Sequence, residues 1–483
     1  MNWIRILNIF FLFHSCQFSF GQSEIIQAKI DQWVKQDDFE NASIGICISD
    51  LKTGDIIASH DPNRSLIPAS TIKVLSTYAA LATAGKNFQF RTEFYLKIHQ
   101  QKDSICYGDL WVKGYGDPSF GSYLLPGNKP LSEISDTIVS LLKSRGINKL
   151  IGKIVVQSME INDTPENPEW LWYDLGNYYG AGYFGFNVLE NSANIYMNIP
   201  EEADQICEIT KVVPSCLSEN YCSEAVVVDS EPFETVYVLG SSLHRIYTVK
   251  GRIKKTKDKS ITFLAAIPNP AEAYQCMLSD ALFNRGIMCK DSIIISDLQS
   301  SDLLYIHFSQ SLQKLASRAL QKSVNLYAEA FLQLAGRYWV KNSDRATALK
   351  SLHLFYDQKI SHMQGIKIFD GSGLSPKNRM TAIGMTEILN HMANSKEKST
   401  LLACLPDVAH SGNLSSRLSR KSQVSGKFRL KSGSMEGVRA YAGYWMESGV
   451  PKYSFCLMIN NYESSPEQIK KHIADFLIHL SQN

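Results

Sequence analysis

The two ends of this chain carry complementary strand patterns, and no other feature constrains the fold as much. Near the start, Ser43 to Ile48 and Ile56 to Ser59 read as strands joined by the turn Leu51-Lys52-Thr53-Gly54-Asp55. Near the end, Lys427 to Ser434, Val438 to Met446 and Tyr453 to Asn460 read as three consecutive strands, followed by a helix over Pro466 to Leu480. A hairpin and a meander of this kind can share one sheet, with helices from the two termini, the first an amphipathic stretch around Ile25 to Trp33, covering a face. Helical patterns over Leu312 to Leu320, Leu326 to Trp339, Ala346 to Tyr356 and Thr381 to Ala393 supply a helical layer. The expected class is α+β, a sheet flanked by helices.

Between Phe88 and about Ser301 the character changes to short strands and turns rich in Gly, Asn and Tyr. It includes an α/β-like unit of Leu131 to Gly146 followed by Leu150 to Val156. A chain of 483 residues that is 44% hydrophobic can bury two or three cores, because single cores stop growing near ~250–300 residues. The expected division is therefore a discontinuous domain of residues 22–87 and 302–483, interrupted by an insertion of α/β and β-rich character over 88–301, expected to form two smaller domains. The formal charge of +2 gives no basic stripe, so nothing favours nucleic acid or an anionic membrane surface as a partner.

Residues 1–21 have the form of a cleavable export signal: Arg5, the apolar run Ile6 to Phe13, then small residues at Ser19 and Gly21. Cleavage there puts the mature start near Gln22, in the periplasm or cell envelope. A lipid anchor on Cys16 is the rival reading. No later stretch is long and apolar enough to span a membrane. The nine remaining cysteines form no Cys-x-x-Cys pair, which argues against zinc, and no metal or organic cofactor is expected. Cys207, Cys216 and Cys222 are close enough in sequence for one local disulfide, whereas Cys47 and Cys456 fit buried thiols better; no pairing is selected.

A serine hydroxyl is a weak nucleophile until a neighbour takes its proton, and Ser-x-x-Lys at a helix start puts an amine one turn above the hydroxyl. Ser70-Thr71-Ile72-Lys73 has this spacing, and so do Ser49/Lys52, Ser140/Lys143, Ser311/Lys314 and Ser395/Lys398. What distinguishes Ser70 is Pro68-Ala69 before it and an apolar, alanine-rich helix behind it, expected to desolvate Lys73 and make it a useful base. Two further triplets follow in chain order. Ser323-Val324-Asn325 lies between two helices, where a hydroxyl can relay a proton and an amide can hold a peptide group. Lys431-Ser432-Gly433 lies on a strand, where lysine and hydroxyl can bind a carboxylate and glycine admits a close backbone. Ser192-Ala193-Asn194 and Lys52-Thr53-Gly54 fit the same patterns; the second precedes Ser70 and is explained as a hairpin turn.

With these triplets in place, the chain resembles the class C low-molecular-mass penicillin-binding proteins, the D-alanyl-D-alanine carboxypeptidase/endopeptidase family. Gly114-Tyr115-Gly116-Asp117-Pro118, the segment Trp170 to Ala181, the run Asp370-Gly371-Ser372-Gly373-Leu374-Ser375, Leu405-Pro406 and Gly437-Val438 with Gly443-Tyr444 extend the resemblance across the mature chain. So does the separation of about 250 residues between Lys73 and Ser323, absent from β-lactamases. The resemblance implies a β-lactamase/D,D-peptidase-like catalytic domain. It implies an acyl-enzyme on Ser70, Lys73 as base, and Ser323 with Lys431 passing a proton to the leaving D-alanine. Asn325 would hold the substrate, Ser432 and Gly433 would bind it, the N–H groups of Ser70 and Ser434 would form the oxyanion hole, and Asp174 would meet the amine of the stem peptide. Peptidoglycan stem peptides are the implied substrates and β-lactams the covalent inhibitors, with oligomeric state left open. A serine β-lactamase or esterase using the same residues is the enzymatic alternative, and a catalytically silent wall-binding protein the alternative of another class. Pro376 stands where the family often has arginine, which leaves Arg379 as the nearby guanidinium, and His410 reads as a surface histidine.

Overall fold

A computed structural model describes residues 21–161, 163–229, 236–256, 258–290, 301–341, 343–419 and 423–482. The export signal expected over residues 1–21, with Cys16, lies outside the described residues except for Gly21. Two compact units emerge: one from the chain up to Thr83, Ala316–Ser323 and Leu349 onward, the other from Ala84–Leu315 and Val324–Ala348. The stretch 324–348, placed with the chain ends in the sequence-based division, thus groups with the second unit.

In the first unit the chain ends do meet in one sheet. Its five antiparallel strands run in the order Phe428–Met435, Val438–Glu447, Val450–Asn460, Ser43–Asp50, Ile56–His60. The strand pattern has period two, so Ile44, Ile46 and Ile48 share one face and Cys47 and Ser49 the other. The isoleucine face is covered by the helix over 21–33 and by Pro466–Leu480; Trp33 stacks on Phe476 with ring centroids 4.5 Å apart, beside buried Ile473 and Leu477. Truncating Trp33 to alanine would cost about 3–5 kcal/mol. On the opposite face the helix Ala382–Ala393 approaches, where Thr386 Oγ1 donates to Cys47 Sγ at 3.3 Å and Asn390 Nδ2 to Ser49 Oγ at 2.9 Å. Lys52-Thr53-Gly54 is the hairpin turn its sequence implies: Asp50 Oδ1 accepts from the N–H groups of Lys52 and Thr53, and Gly54 takes φ +83°.

The second unit has its own core. Its largest sheet has the strand order Met288–Lys290, Lys149–Ile151, Ile105–Gly114, Arg91–Lys102, Asp302–Phe308, with Ile154–Gln157 also pairing Ile105–Gly114. The helices Leu131–Ser144 and Pro270–Asn284 bury Ile134, Ile138, Leu142, Leu278 and Leu282 in the same core. Smaller sheets follow: Ser260–Ala266, Ser192–Asn198 and Ile209–Val213 in one, Tyr237–Leu239, Tyr247–Lys250 and Tyr221–Ser223 in another. Among the described residues no helix is long and apolar enough to cross a membrane.

Candidate active site

Ser70 lies in a short 3-10 turn, Ala69–Ile72, that runs directly into the α-helix Lys73–Ala84. Ala69 is held at φ +45°, a left-handed conformation that costs an L-residue about 1–2 kcal/mol. Two glycines let the chain close around this strained turn. A Cβ on Gly433 would lie 2.6 Å from Pro68 O and 3.0 Å from Ser70 N. A Cβ on Gly373, itself at φ +79°, would lie 2.0 Å from Ala69 O. Backbone from the edge strand and from the loop after Asp370 therefore grips the serine from two sides.

One helical turn on, Lys73 is fully buried, and its Nζ donates to Ser70 Oγ at 2.7 Å and to Ser372 O at 2.6 Å. The loop presenting that carbonyl is knitted by the Asp370 carboxylate, which accepts from Gly373 N at 2.7 Å, Ser375 N at 2.6 Å and Asn378 Nδ2 at 2.9 Å. Ser76 Oγ adds a bond to Gly371 O at 2.7 Å. The helix start and the loop are thus one hydrogen-bonded body, and a lysine with fixed acceptors has little freedom left to lose.

The third motif lies on the sheet's edge strand. Lys431, 1% exposed, donates from Nζ to Ser323 Oγ at 3.0 Å and to Ser432 O at 2.6 Å. Burial first, and then the charge of Lys73, hold its amine well below the ordinary lysine range. Ser323 occupies the break between the helices Leu312–Lys322 and Asn325–Trp339 at φ +59°, another strained backbone position beside the chemistry. Along the strand Gly433 is buried, Ser432 half-buried and Ser434 exposed. Ser70, Lys73, Ser323, Lys431, Ser432, Gly433 and Ser434 all belong to the first unit.

Asn325 and Asp174 belong to the second, where one tyrosine links them. Asn325 Nδ2 donates to Tyr179 O at 2.7 Å, and Tyr179 OH donates to Asp174 Oδ1 at 3.2 Å. Burial raises the pKa of the Asp174 carboxyl, with the Tyr179 bond opposing. Tyr179 was not singled out in the sequence, although it lies inside the quoted Trp170 to Ala181 segment. Asp370 and Asn378 were likewise missed as organisers of the Lys73 acceptor; the signal was the Asp-Gly-Ser-Gly run itself.

Other candidates take local roles. Ser192-Ala193-Asn194 lies on the strand Ser192–Asn198. Arg379 spends its guanidinium on Pro376 O and Asn378 O, both at 2.8 Å. Exposed His410 pairs with Ser425 Oγ at 2.7 Å. Among the described residues no three of His, Cys, Asp or Glu are grouped to hold a metal ion.

In this geometry one buried amine sits on the Ser70 hydroxyl and a second on the Ser323 hydroxyl, an arrangement able to move protons to and from serine oxygens. The chain is similar to known proteins over most of its length. The chain is 25% identical over 443 residues to the D-alanyl-D-alanine carboxypeptidase DacB of Haemophilus influenzae, covering 89% of this chain and 88% of that protein. It is 22% identical over 463 residues to the D-alanyl-D-alanine carboxypeptidase of Actinomadura sp. strain R39, covering 91% and 82%. The crystal structure of penicillin binding protein 4 (dacB) from Haemophilus influenzae superposes with a TM-score of 0.76 at 22% identity, over 91% of this chain and 96% of that one. That likeness establishes the fold as D,D-peptidase-like with additional domains. Since residues 26–480 match its profile, the chain belongs to the D-Ala-D-Ala carboxypeptidase 3 (S13) family.

Proposed function

We propose that the protein is an exported serine-type D-Ala-D-Ala carboxypeptidase, with D,D-endopeptidase activity on cross-links, acting on peptidoglycan stem peptides and acylated by penicillin. The observation that carries this reading is the 2.7 Å contact between the fully buried Lys73 amine and the hydroxyl of half-buried Ser70. When Lys73 is neutral, its lone pair takes the Ser70 proton as Oγ attacks the carbonyl of the penultimate D-alanine, forming a tetrahedral oxyanion. The N–H groups of Ser70 and Ser434 are assigned to that oxyanion. Collapse expels D-alanine, which needs a proton. Because Lys431 donates to Ser323 Oγ, the Ser323 hydroxyl hydrogen is free to point at the leaving nitrogen, and Lys431 can restore it. Ser432 and Gly433 take the terminal carboxylate and the backbone beside it, Asn325 holds the substrate's peptide group, and water then hydrolyses the ester on Ser70.

Asp174 is proposed to receive the amine on the stem-peptide side chain, supported by its position on the Tyr179 link to Asn325. The export reading is supported by the Arg5 and Ile6 to Phe13 pattern. Incubation with a stem pentapeptide and with a cross-linked dimer, followed by mass spectrometry, tests the activity: loss of one D-alanine and cleavage of the dimer are the expected products. Release of neither substrate's products by protein that still binds penicillin at Ser70 would overturn it.

A further inference from the structure

One charged side chain stands at the end of the first unit's sheet without a counter-ion. Ser434, Arg439, Ile459 and Ile44 lie side by side across four strands, so Arg439 shares the isoleucine-lined face with Ser434. Arg439 is 6% exposed. Its Nη1 donates to the neighbouring Val438 O at 3.3 Å, and its guanidinium carbon lies 5.9 Å from the centre of the Tyr462 ring. Among the described residues its Nε has no hydrogen-bond partner, and no carboxylate forms an ion pair with it. Taking a guanidinium out of water without an anion is unfavourable, and an anion brought to it offsets that penalty.

The neighbours of Arg439 on the edge strand indicate which anion. Ser434 lies directly across from it and Ser432 diagonally, a separation of about 7–8 Å that a long side chain spans. Ser432 is the hydroxyl proposed above for the terminal carboxylate of the substrate. Two other donors beside Ser432 are already engaged. Lys431, on the opposite face of the strand, gives its amine to Ser323 Oγ at 3.0 Å and Ser432 O at 2.6 Å. Tyr441, directly across from Ser432, gives its hydroxyl to Asn413 Oδ1 at 2.9 Å. The Arg439 guanidinium, with an unengaged Nε and a permanent charge, can offer a carboxylate two parallel hydrogen bonds.

We propose that Arg439 is a specificity-determining residue, which receives the C-terminal carboxylate of the substrate together with Ser432 and so selects peptides with a free acid end over the same peptides with a neutral end. The identity of the anion rests on the peptidase reading; the choice of residue rests on the strand register and the missing counter-ion. Arg439 takes no part in moving protons. It contributes the fixed positive charge that the terminal carboxylate needs, while the amine of Lys431 stays on Ser323. Because the carboxylate is present before and after attack on the peptide bond, the contact acts on binding and not on the chemical step.

The test measures affinity apart from turnover. Full-chain protein carrying Ser70→Ala is titrated calorimetrically with a peptide ending in D-alanyl-D-alanine and with the same peptide ending in a carboxamide. The acid should bind roughly 10- to 100-fold more tightly, the range of a hydrogen bond to a charged group. Adding Arg439→Gln should erase that preference and leave the affinity for the amide unchanged, which also reports that the variant is folded. Arg439→Lys keeps the charge but not the paired donors, should retain part of the preference, and carries the test alone if the glutamine variant does not fold. With Ser70 restored, Arg439→Gln should raise KM for the acid peptide by a similar factor and change kcat little. A preference for the acid that survives Arg439→Gln overturns the assignment, and so does a parent protein that binds acid and amide equally. Equal weakening of both peptides in the two Arg439 variants overturns it as well and marks a structural role against Tyr462. Wild-type protein that hydrolyses neither peptide, while its Ser70→Ala form shows the Arg439-dependent preference, supports the anion site and defeats the peptidase reading.

Discussion

Lys431 lies under the electrostatic influence of Lys73: burial first and the Lys73 charge second depress its pKa well below 10.5. A buried amine held this way is a source of instability, which the role proposed for Lys431 would explain. The unfolded chain binds the proton more tightly, so the penalty is fully present below the folded-state pKa and fades as pH rises toward 10.5. Lys431→Met, similar in volume but without charge, should raise Tm at pH 7 by roughly 2 °C or more while removing most D,D-peptidase turnover. Thermal unfolding of the two proteins at pH 7 and pH 10 checks this, the gap narrowing at the higher pH. A variant less stable at both values would show that the ion's hydrogen bonds outweigh its desolvation.

Gly373→Ala tests the grip on the proposed nucleophile. The new Cβ would meet Ala69 O at 2.0 Å, so the turn carrying Ser70 must shift. A displacement near 1 Å in a preorganised site costs on the order of 100-fold, and penicillin acylation should slow by about that factor. Gly412→Ala is the control: that glycine also has positive φ, at +86°, but its Cβ would meet nothing within 4 Å. It should lose stability from backbone strain and keep its acylation rate. Equal slowing in both variants would mean general loosening, not displacement of Ser70.

His307 predicts an acid limit to stability in the second unit. The ring is 1% exposed, sits edge-on to Phe120 with centroids 5.3 Å apart, and neither nitrogen has a hydrogen-bond partner among the described residues. Burial, then the charge of Lys129, lower its pKa from 6.5 to about 4. Its neutral form is the one that fits, so its contribution is complete above pH 6.5 and is lost as pH falls toward about 4. His307→Leu should flatten the Tm profile over that window. Parallel profiles for wild type and variant would assign the acid sensitivity elsewhere.

The chain-end sheet and the three motifs were legible because they rest on short-range signals: period-two strands, a turn with Gly54, and Ser-x-x-Lys where a helix begins. What stayed hidden depends on distant residues meeting. Nothing in local sequence says that the Ser372 carbonyl, 299 positions away, accepts from Lys73. Nor does it say that the 324–348 stretch groups with the insertion, although Tyr327 OH bonds to buried Glu190 at 2.9 Å and Asn325 to the Tyr179 carbonyl. Helical periodicity identified the helix Asn325–Trp339 but not its neighbours. The cysteines show the same limit, since spacing groups Cys207, Cys216 and Cys222 while the fold sets Cys216 Sγ 3.8 Å from Ala273 O on the helix Pro270–Asn284.

Asp174→Asn separates substrate recognition from chemistry. Asparagine keeps an oxygen for the Tyr179 hydroxyl and removes the charge proposed to meet the stem-peptide amine. A hydrogen bond to a charged group contributes about 1.5–3 kcal/mol, so kcat/KM on an amine-bearing stem peptide should fall roughly 10- to 100-fold. Acylation by a simple β-lactam, which has no such amine, should change little. Equal losses on both substrates would point to a disturbed Asn325 and not to a lost contact.

Ser70 is the residue on which the proposed mechanism stands, and trapping by a β-lactam tests it. The strained amide and carboxylate of penicillin mimic the D-alanyl-D-alanine end, so Lys431 and Ser432 can hold the carboxylate while Ser70 opens the ring. D-alanine diffuses away after acylation, but the opened ring stays attached and obstructs the approach of water. The penicilloyl ester should therefore outlive the peptide acyl-enzyme by a wide margin and be recoverable on the peptide containing Ser70. Ser70→Ala should abolish the adduct. Lys73→Ala removes the amine 2.7 Å from the hydroxyl and should slow acylation by at least ~100-fold, the lower end expected for loss of a general base. Mass spectrometry of the labelled protein over time measures both effects. Labelling of Ser70→Ala at the wild-type rate would move the nucleophile elsewhere, and with it every role assigned to Lys73, Ser323 and Lys431.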